Sequence, residues 1–264
     1  MTLEEKKRKL LELLKTYQNV AIAFSGGVDS SFLLKMAKET LGDNCVALTI
    51  DMDFVARSEM SDAEAIVKEI GAQHTIIKSA EIDKAILENS KERCYFCKRN
   101  VFEALLEAAK ALGINILLDG SNLDDLDDYR PGMKALKELE IKSPLIEAGF
   151  TKNDIRAVSE ELGLSTWNKP SLACLASRFP YNQHITMDGL KKVEAAEEFL
   201  RQKGIRQVRV RYHQDLARIE VSPEERSTFF DTDLMDQVST ALLKIGFKYV
   251  TLDMEGYRTG KMNQ

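Results

Sequence analysis

The residues that could bind a phosphate group are concentrated in one short run, Ser25-Gly26-Gly27-Val28-Asp29-Ser30-Ser31, which we call the phosphate loop. An apolar segment precedes it and an amphipathic pattern follows it, so we predict a strand, a tight turn and a helix. Two adjacent glycines allow successive N–H groups to point at one anion, and the helix adds its positive N-terminal end. The serines can donate hydroxyl hydrogen bonds to phosphate oxygens, and Asp29 can bind Mg²⁺. No lysine closes the run, so it is not the G-x-x-x-x-G-K-[ST] loop.

Three of the four cysteines could bind a metal or a cluster. Cys94 and Cys97 form a C-x-x-C pair, and Cys174 lies in the run Ala-Cys-Leu-Ala-Ser-Arg. Cys45 begins an apolar strand pattern, so we interpret it as a core thiol. Three thiolates can hold a [4Fe–4S] cluster and leave one iron open to a substrate or an added sulfide. A redox pair, or an incidental C-x-x-C with one unrelated cysteine, is the alternative.

Two arginines on a predicted strand could hold a phosphate. Arg209 and Arg211 are two residues apart, so their guanidinium groups share one face of the strand. Two such groups suit one phosphate, although a solvated basic face is the alternative. Further candidates follow the cysteines directly along the chain: Lys98, Ser177 and Arg178. The sequence therefore predicts a phosphate pocket beside the thiols, if the thiols converge.

Two glutamates in apolar patterns are candidate bases. Glu197 and Glu220 each lie among apolar residues of the second half of the chain. Either could act on a reacting group, and either could equally pair with Arg218 or another cation. The three histidines form no spacing typical of a metal site or a catalytic triad.

Alternating strand and helix patterns predict an α/β fold with a parallel sheet, followed by a smaller α+β unit. Ligands bind such sheets at the carboxyl ends of the strands, where the phosphate loop, 51–53 and 119–122 would meet. We expect one domain over residues 1–170 and a second over 171–264. The expected strands are Val20–Phe24, Cys45–Ile50, His74–Lys78, Ile114–Leu118, Gln207–Tyr212, Ala217–Val221 and Tyr249–Leu252. The expected helices are Ser31–Leu41, Ser58–Ile70, Val101–Leu112, Met187–Lys203 and Thr228–Ile245, with another opened by Thr151 as N-cap.

Composition indicates an ordinary globular protein. The 264 residues carry a net charge of −5, which argues against a broadly basic nucleic-acid surface. We find no apolar run long enough to span a membrane and no signal peptide, so we expect a cytoplasmic protein without nucleic-acid or membrane partners. We also expect a homo-oligomer.

Several motifs together resemble one family. The run S-G-G-V-D-S is similar to the PP-loop of the ATP pyrophosphatases, which cleave ATP between its α- and β-phosphates. With it occur L-D-G-S-N, D-D-Y-R-P-G, W-N-K-P-S-L-A-C-L-A-S-R-F-P, V-R-V-R-Y and G-Y-R-T-G. In this order they resemble the LarE family, the sulfur insertases that help to make the nickel-pincer nucleotide of lactate racemase.

The resemblance implies a PP-loop ATP pyrophosphatase domain with a C-terminal substrate domain. It implies that ATP, with Mg²⁺, adenylylates pyridinium-3,5-biscarboxylic acid mononucleotide, and that sulfur then displaces AMP to give a thiocarboxylate. The implied nucleotide-binding residues are Ser25, Gly26, Gly27, Asp29, Ser30, Asp119, Gly120 and Arg130. The implied substrate-phosphate residues are Lys98, Ser177, Arg178, Arg209 and Arg211. The implied catalytic residues are Asp29, Cys174, Glu197, Glu220 and Arg258.

The source of the sulfur divides the family. Some members give up the sulfur of the cysteine at position 174, and those members lack the C-x-x-C. This chain has it, so it resembles the subgroup in which Cys94, Cys97 and Cys174 bind a [4Fe–4S] cluster and an added sulfide from a separate source is transferred.

Three other functions compete with this prediction. A PP-loop tRNA thiolase would need a basic RNA-binding module, which the sequence lacks. An amide-forming PP-loop synthetase would need an ammonia source. A regulatory nucleotide-binding protein would have a degenerate loop, whereas Asp29 and Ser30 are present.

Overall fold

The computed structural model describes residues 1–79, 82–126, 131–170 and 173–258. The chain divides into two compact units, which are described separately. The first unit comprises residues 1–86 and 92–172, and the second comprises residues 87–91 and 173 onward. The division into functional domains at 170/171 stays a prediction.

The first unit is built on a parallel four-stranded sheet, as the strand and helix patterns predict. Its strand order is β3-β2-β1-β4, so β1 lies next to β2 on one side and β4 on the other. The strands are β1 (Val20–Ala23), β2 (Cys45–Asp51), β3 (Gln73–Lys78) and β4 (Leu117–Leu118). The helices are α1 (Leu3–Tyr17), α2 (Val28–Leu41), α3 (Arg57–Ile70), α4 (Lys84–Leu87, which ends in the second unit), α5 (Arg93–Ala111), α6 (Pro131–Glu138), α7 (Pro144–Ala148) and α8 (Lys152–Glu161).

One hydrophobic core holds the phosphate-loop helix in place. Val28 and Phe32 of α2 are buried together with Ile155 and Val158 of α8 in that core. The Thr151 side chain accepts a hydrogen bond from the Asp154 N–H and begins α8 with a complete capping box, which confirms the predicted N-cap. The N-terminal ends of α2 and α8 are therefore fixed within the same unit.

Three predicted boundaries in the two units were wrong for local reasons. Helix α5 begins at Arg93 rather than Val101, because its first two turns carry polar and partly exposed side chains without apolar periodicity. Strand β4 begins at Leu117 rather than at the predicted Ile114, because only Leu117 and Leu118 pair with β1, and the nearby Lys142 makes only a one-residue bridge to Leu118 before Pro144 begins α7. The last α-helix begins at Thr232 rather than at the predicted Thr228, because residues Pro223–Phe230 form a 3₁₀ helix.

The second unit is a three-stranded sheet with helices packed on it. Strands β5 (Val208–His213) and β6 (Leu216–Val221) are antiparallel, and β7 (Tyr249–Leu252) runs parallel to β6. Its helices are α9 (Met187–Gln202) and α10 (Thr232–Ile245). Asp231 begins α10, because its side chain accepts hydrogen bonds from two backbone N–H groups. Among the described helices, none is both long and apolar enough to cross a membrane.

Candidate active site

The phosphate loop connects β1 to α2 in the first unit. Gly26 has φ +68°, and a Cβ there would lie 3.0 Å from the Cα of Ala63 in α3, so the position requires glycine for two reasons. Gly27 occupies the N-cap position of α2 and has no side chain that could accept a hydrogen bond from the first N–H groups of the helix. The first N–H groups of α2 are therefore directed to the end of the sheet, where an anion can accept from them.

The serine hydroxyls of the loop interact with one another. The Oγ atoms of Ser25 and Ser30 are 3.2 Å apart, and the Ser30 Oγ also accepts a bond of 3.3 Å from the Ser25 N–H. Ser30 donates to the Gly27 carbonyl at 3.3 Å. These bonds are long, so a phosphate oxygen can replace them at little cost.

A cavity of about 370 Å³ lies in front of the loop. Asp119 and Gly120 line it at the end of β4, and Lys98 lines it from α5. A Cβ on Gly120 would lie 3.1 Å from the Ser30 backbone nitrogen, so β4 and the loop approach closely there. The rest of the wall is mainly apolar and includes Leu48, Ile50, Met52, Val55, Met60, Phe102 and Leu105. A cavity lined by the polar groups of the phosphate loop and by apolar side chains suits a nucleotide.

Asp119 is held rigidly in the cavity wall. It is 4% exposed, and its carboxylate accepts hydrogen bonds from Ser121 and, at 2.5 Å, from Ser143. The Lys98 Nζ lies 4.0 Å from an oxygen of Asp119. The structure therefore brings Lys98 and Asp119 together in the cavity with the phosphate loop.

Two lysines that the sequence analysis did not single out contact the loop. Lys152, the first residue of α8, forms an ion pair with one oxygen of Asp29. Burial raises the pKa of Asp29, and the charge and hydrogen bond of Lys152 oppose that shift. The Lys169 Nζ donates to the Gly26 carbonyl at 3.2 Å and lies 2.9 Å from the Asp62 carboxylate. Both lysines are more than 120 residues from the loop, so no local sequence signal indicated the contacts.

The C-x-x-C pair lies at the start of α5 in the first unit. Cys94 is exposed and Cys97 is partly exposed, so both thiols are accessible. Three residues apart on a helix, they occupy neighbouring positions on one face. Cys45 is buried, and burial raises the pKa of its thiol, which confirms its interpretation as a core thiol. Within the described parts of the chain, no three ligating side chains are grouped so as to hold a metal ion.

The second unit contains a buried ion pair beside Cys174. Arg178 and Glu197 are 2% and 0% exposed, and they form two hydrogen bonds of 2.8 and 2.9 Å. The Val210 N–H and Arg201 also donate to Glu197. Burial would raise the pKa of Glu197, but Arg178 and the other donors together hold it below its usual value. Glu197 therefore carries a negative charge and both of its oxygens accept hydrogen bonds.

Arg178 also holds the segment that carries Cys174. Its Nη1 donates to the carbonyls of Ala173 and Cys174 at 2.6 and 3.1 Å, and to the Ser177 Oγ at 2.9 Å. Cys174 itself is exposed. Because Cys94 and Cys97 belong to the first unit, convergence of the three thiols stays a prediction.

Arg209 and Arg211 are buried rather than part of a solvated basic face, so that alternative was wrong. Arg211 donates to Glu220 at 2.6 and 2.8 Å and to the Ser177 carbonyl at 2.8 Å. Arg209 donates to the Val208 carbonyl, and its guanidinium lies 5.1 Å from the centre of the Tyr257 ring. The expected Arg218 pair is also present, with its Nη2 3.2 Å from a Glu220 oxygen.

Two predicted site residues remain, one in the second unit and one beyond the residues that the structure describes. Arg258 is exposed in the second unit. Arg130 lies outside the described residues.

Comparison with known proteins identifies the family. A PP-loop domain profile matches residues 2–128. The pyridinium-3,5-bisthiocarboxylic acid mononucleotide synthase of Lactiplantibacillus plantarum is 42% identical, over 99% of this chain and 95% of that protein. An uncharacterised protein of Synechocystis is also 42% identical, over 99% of this chain and 98% of its own. A tRNA-specific 2-thiouridylase of Clostridium botulinum is 26% identical over 57% of this chain and 52% of its own.

The PP-loop domain accounts for the use of ATP and Mg²⁺, and the glycine turn of the phosphate loop has the geometry that such a domain needs. The near full-length match at 42% identity extends the relationship through the second unit. This protein belongs to the LarE family and is an ATP-dependent sulfurtransferase.

Proposed function

We propose that this enzyme converts the carboxylates of pyridinium-3,5-biscarboxylic acid mononucleotide to thiocarboxylates, as a step in making the nickel-pincer cofactor of lactate racemase. Two observations together support this function: the cavity at the phosphate loop has the size of a nucleotide, and the chain is 42% identical to the synthase of L. plantarum. That relative is named for the bisthiocarboxylic acid mononucleotide that it makes, and the biscarboxylic acid mononucleotide is the corresponding compound with oxygen in place of sulfur.

The proposed reaction has two steps, adenylylation of a carboxylate and displacement of AMP by sulfur. A carboxylate oxygen of the substrate attacks the α-phosphorus of ATP, and the bond between the α-phosphorus and the bridging oxygen breaks, with its electrons going to pyrophosphate. A sulfide-class nucleophile then attacks the carbonyl carbon, and AMP leaves with the C–O electrons. In the first step, the N–H groups at the start of α2 stabilise the phosphate charge, and Asp29 binds Mg²⁺.

Charge in the second unit supports a phosphate site for the mononucleotide. Arg178, Arg209 and Arg211 are each at most 5% exposed, while only two carboxylates of the same cluster, Glu197 and Glu220, are fully buried. A buried cluster with an excess of positive charge is suited to an anion, because burial without a partner is costly. We propose that these arginines and Ser177 bind the substrate phosphate. Lys98 lines the loop cavity, which favours contact with a phosphate at the adenylylation step.

The two glutamates have different roles in this proposal. Glu197 accepts four hydrogen bonds from Arg178, Arg201 and Val210, so it is a positioning residue that orients Arg178. Glu220 has one buried oxygen, Oε1, without a hydrogen-bond partner among the described residues, although Arg218 lies 3.2 Å away. Glu220 is therefore the better candidate for a base near the sulfur, with Arg258 as a further candidate there.

The sulfur site is proposed on the chemistry of its thiols. Cys94 and Cys97 are accessible on one helix face and Cys174 is exposed, so none is buried as Cys45 is. Three such thiolates could bind three irons of a [4Fe–4S] cluster. The fourth iron would then have no protein ligand and could carry sulfide. The chain's own contribution is to hold Cys174 through the Arg178 hydrogen bonds to its segment.

Acceptor dependence tests the proposed function. The enzyme with Mg-ATP should release pyrophosphate and AMP when the pyridinium mononucleotide is added, and not when unmodified tRNA is added. Asp29→Asn should abolish this release, because Mg²⁺ loses a charged ligand, while the protein still binds the mononucleotide. Release stimulated by tRNA alone would replace the proposal with the tRNA thiolase function.

A further inference from the structure

The phosphate loop lacks a positive side chain at the place where the reaction creates negative charge. The run from Ser25 to Ser31 contains no lysine or arginine. Breaking ATP between the α- and β-phosphates gives a highly charged pyrophosphate, and a helix N-terminus offers only about half an elementary charge. Mg²⁺ neutralises part of the remainder. A cation from outside the loop would stabilise the charge that remains on the pyrophosphate.

Lys152 provides a cation at a fixed position. Its backbone N–H donates to the Asp124 carboxylate at 2.9 Å, and Thr151 caps the helix that it begins. Ile155, one turn further along α8, is fully buried in the core that also contains Val28 of the loop helix. The base of the Lys152 side chain is thus anchored against α2, while its four-carbon stem can move the ammonium group.

The resting ion pair of Lys152 leaves a group ready for Mg²⁺. One oxygen of Asp29 binds Lys152, and the other, Oδ1, is buried without a hydrogen-bond partner among the described residues. An unsatisfied buried oxygen is costly, and a divalent cation would satisfy it. When Mg-ATP binds, Mg²⁺ can replace Lys152 as the partner of Asp29, and the ammonium group becomes available to the phosphates.

We propose that Lys152 is the catalytic lysine that binds the leaving pyrophosphate of ATP. It takes the place of the lysine that the G-x-x-x-x-G-K-[ST] loop carries within itself. The inference rests on the proposed adenylylation step. As the bond to the α-phosphorus breaks, its electron pair goes to the pyrophosphate oxygen, whose charge Lys152 neutralises without transferring a proton. Lys152 contacts the leaving group and not the AMP that remains.

Lys169 offers a matched comparison, because it is a second lysine of the first unit that contacts the same loop. Its ammonium group donates to the Gly26 carbonyl and so holds the turn from the side opposite to the N–H groups. Lys169 is a positioning residue. Removing it should disturb the loop as a whole, and with it the binding of every phosphate.

The test is calorimetric titration of the full-length enzyme with magnesium pyrophosphate and, separately, with AMP. Lys152→Gln should weaken pyrophosphate binding about tenfold or more, as expected when a charge-assisted contact is lost, and leave AMP affinity within about twofold. Lys152→Arg, which keeps the charge, should lose less. Lys169→Gln should weaken both ligands. Thermal unfolding of each variant checks that it is folded.

Unchanged pyrophosphate affinity in Lys152→Gln, or an equal loss for pyrophosphate and AMP, would overturn the proposal and leave Lys152 as a structural partner of Asp29. If Lys152→Gln does not fold, Lys152→Met, which removes the charge and keeps an unbranched side chain, decides by the same titrations: a selective loss for pyrophosphate supports the proposal, and an unchanged pyrophosphate affinity overturns it. Neither titration requires the mononucleotide or sulfide. A failure of the proposed acceptor therefore leaves this result standing.

Discussion

The carboxylates of the candidate site differ in whether both of their oxygens already accept hydrogen bonds. Glu197 accepts from two arginines and one backbone N–H, whereas Asp29 and Glu220 each keep a buried oxygen without a hydrogen bond among the described residues. Satisfied buried charges hold a structure, while unsatisfied ones are available to a ligand or a proton. We therefore propose that Glu197 supports the structure, while Asp29 and Glu220 are the carboxylates open to a ligand or a proton.

Replacing Glu197 should reveal a supporting role through stability. Glu197→Gln breaks a fully buried ion pair and leaves Arg178 without its charged partner, so the free energy of unfolding at pH 7 should fall by about 3–5 kcal/mol. Because the pKa of Glu197 is lower in the folded protein than in the unfolded chain, its charge stabilises the fold above the unfolded pKa of about 4.3. This stabilisation is lost as the pH falls toward the folded pKa.

Urea unfolding of wild type and variant over a range of pH measures this difference. The gap between the two proteins should be widest near neutral pH and should narrow below about pH 4.3. Glu198→Gln is the matched control. The Glu198 side chain is 45% exposed, so the loss of its charge should change stability little. A gap that stays constant down to the most acid pH at which the protein folds would show that Glu197 is not the charged partner of Arg178.

At the scale of elements, the connection from β1 to α2 determines the phosphate site. A left-handed turn at Gly26 places α3 within contact distance of the loop. Gly26→Ala would introduce both a strained φ and a Cβ 3.0 Å from the Ala63 Cα. Pyrophosphate release should fall to near background, because the N–H groups of the turn are displaced.

Gly42→Ala separates strain from geometry. Gly42, which follows α2 at its other end, has φ +62° with no atom within 4 Å of the added Cβ. The combination of φ +62° and ψ −124° is open to glycine and strained for alanine, so the variant should lose about 1–3 kcal/mol of stability and keep its activity. Equal pyrophosphate release by Gly26→Ala and wild type would mean that the turn does not bind the phosphates of ATP.

The elements that the sequence predicted well are those with local signals. The strand, glycine turn and helix around the phosphate loop could be predicted because apolar periodicity and glycine chemistry act within a few residues. The start of α5 could not, since the segment from Arg93 to Lys98 combines charged groups with accessible thiols and lacks apolar periodicity. Strand β4 pairs with β1 only at Leu117 and Leu118, so the apolar run from Ile114 predicted a longer strand than the one that forms.

At the scale of the whole molecule, the missed contacts are long-range. Lys152 and Lys169 are 123 and 143 residues from their partners in the loop, and nothing in their own neighbourhood indicates the contact. The arginines of the second unit were expected as candidates, but their glutamate partners depend on which strands and helices pack together. Chemistry-bearing residue types could be found from the sequence, while their pairings needed the fold.

The two units carry different parts of the proposed reaction. The first holds the phosphate loop, its lysines, Cys94 and Cys97, and the second holds Cys174 and the buried arginines. In the proposed reaction, adenylylation uses residues of the first unit, and sulfur transfer uses cysteines of both units. The product formed by the full-length enzyme therefore reports on the residues of both units.

The most direct measurement is mass spectrometry of product and protein after anaerobic reaction with excess mononucleotide, Mg-ATP and sulfide. We predict product in which sulfur replaces one oxygen of each carboxylate, one AMP for each sulfur, and more product than enzyme, with Cys94, Cys97 and Cys174 unchanged. AMP release without sulfur in the product would contradict sulfur insertion into this substrate. Dehydroalanine at position 174, in an amount equal to the product and with no further turnover, would contradict transfer from an added sulfide.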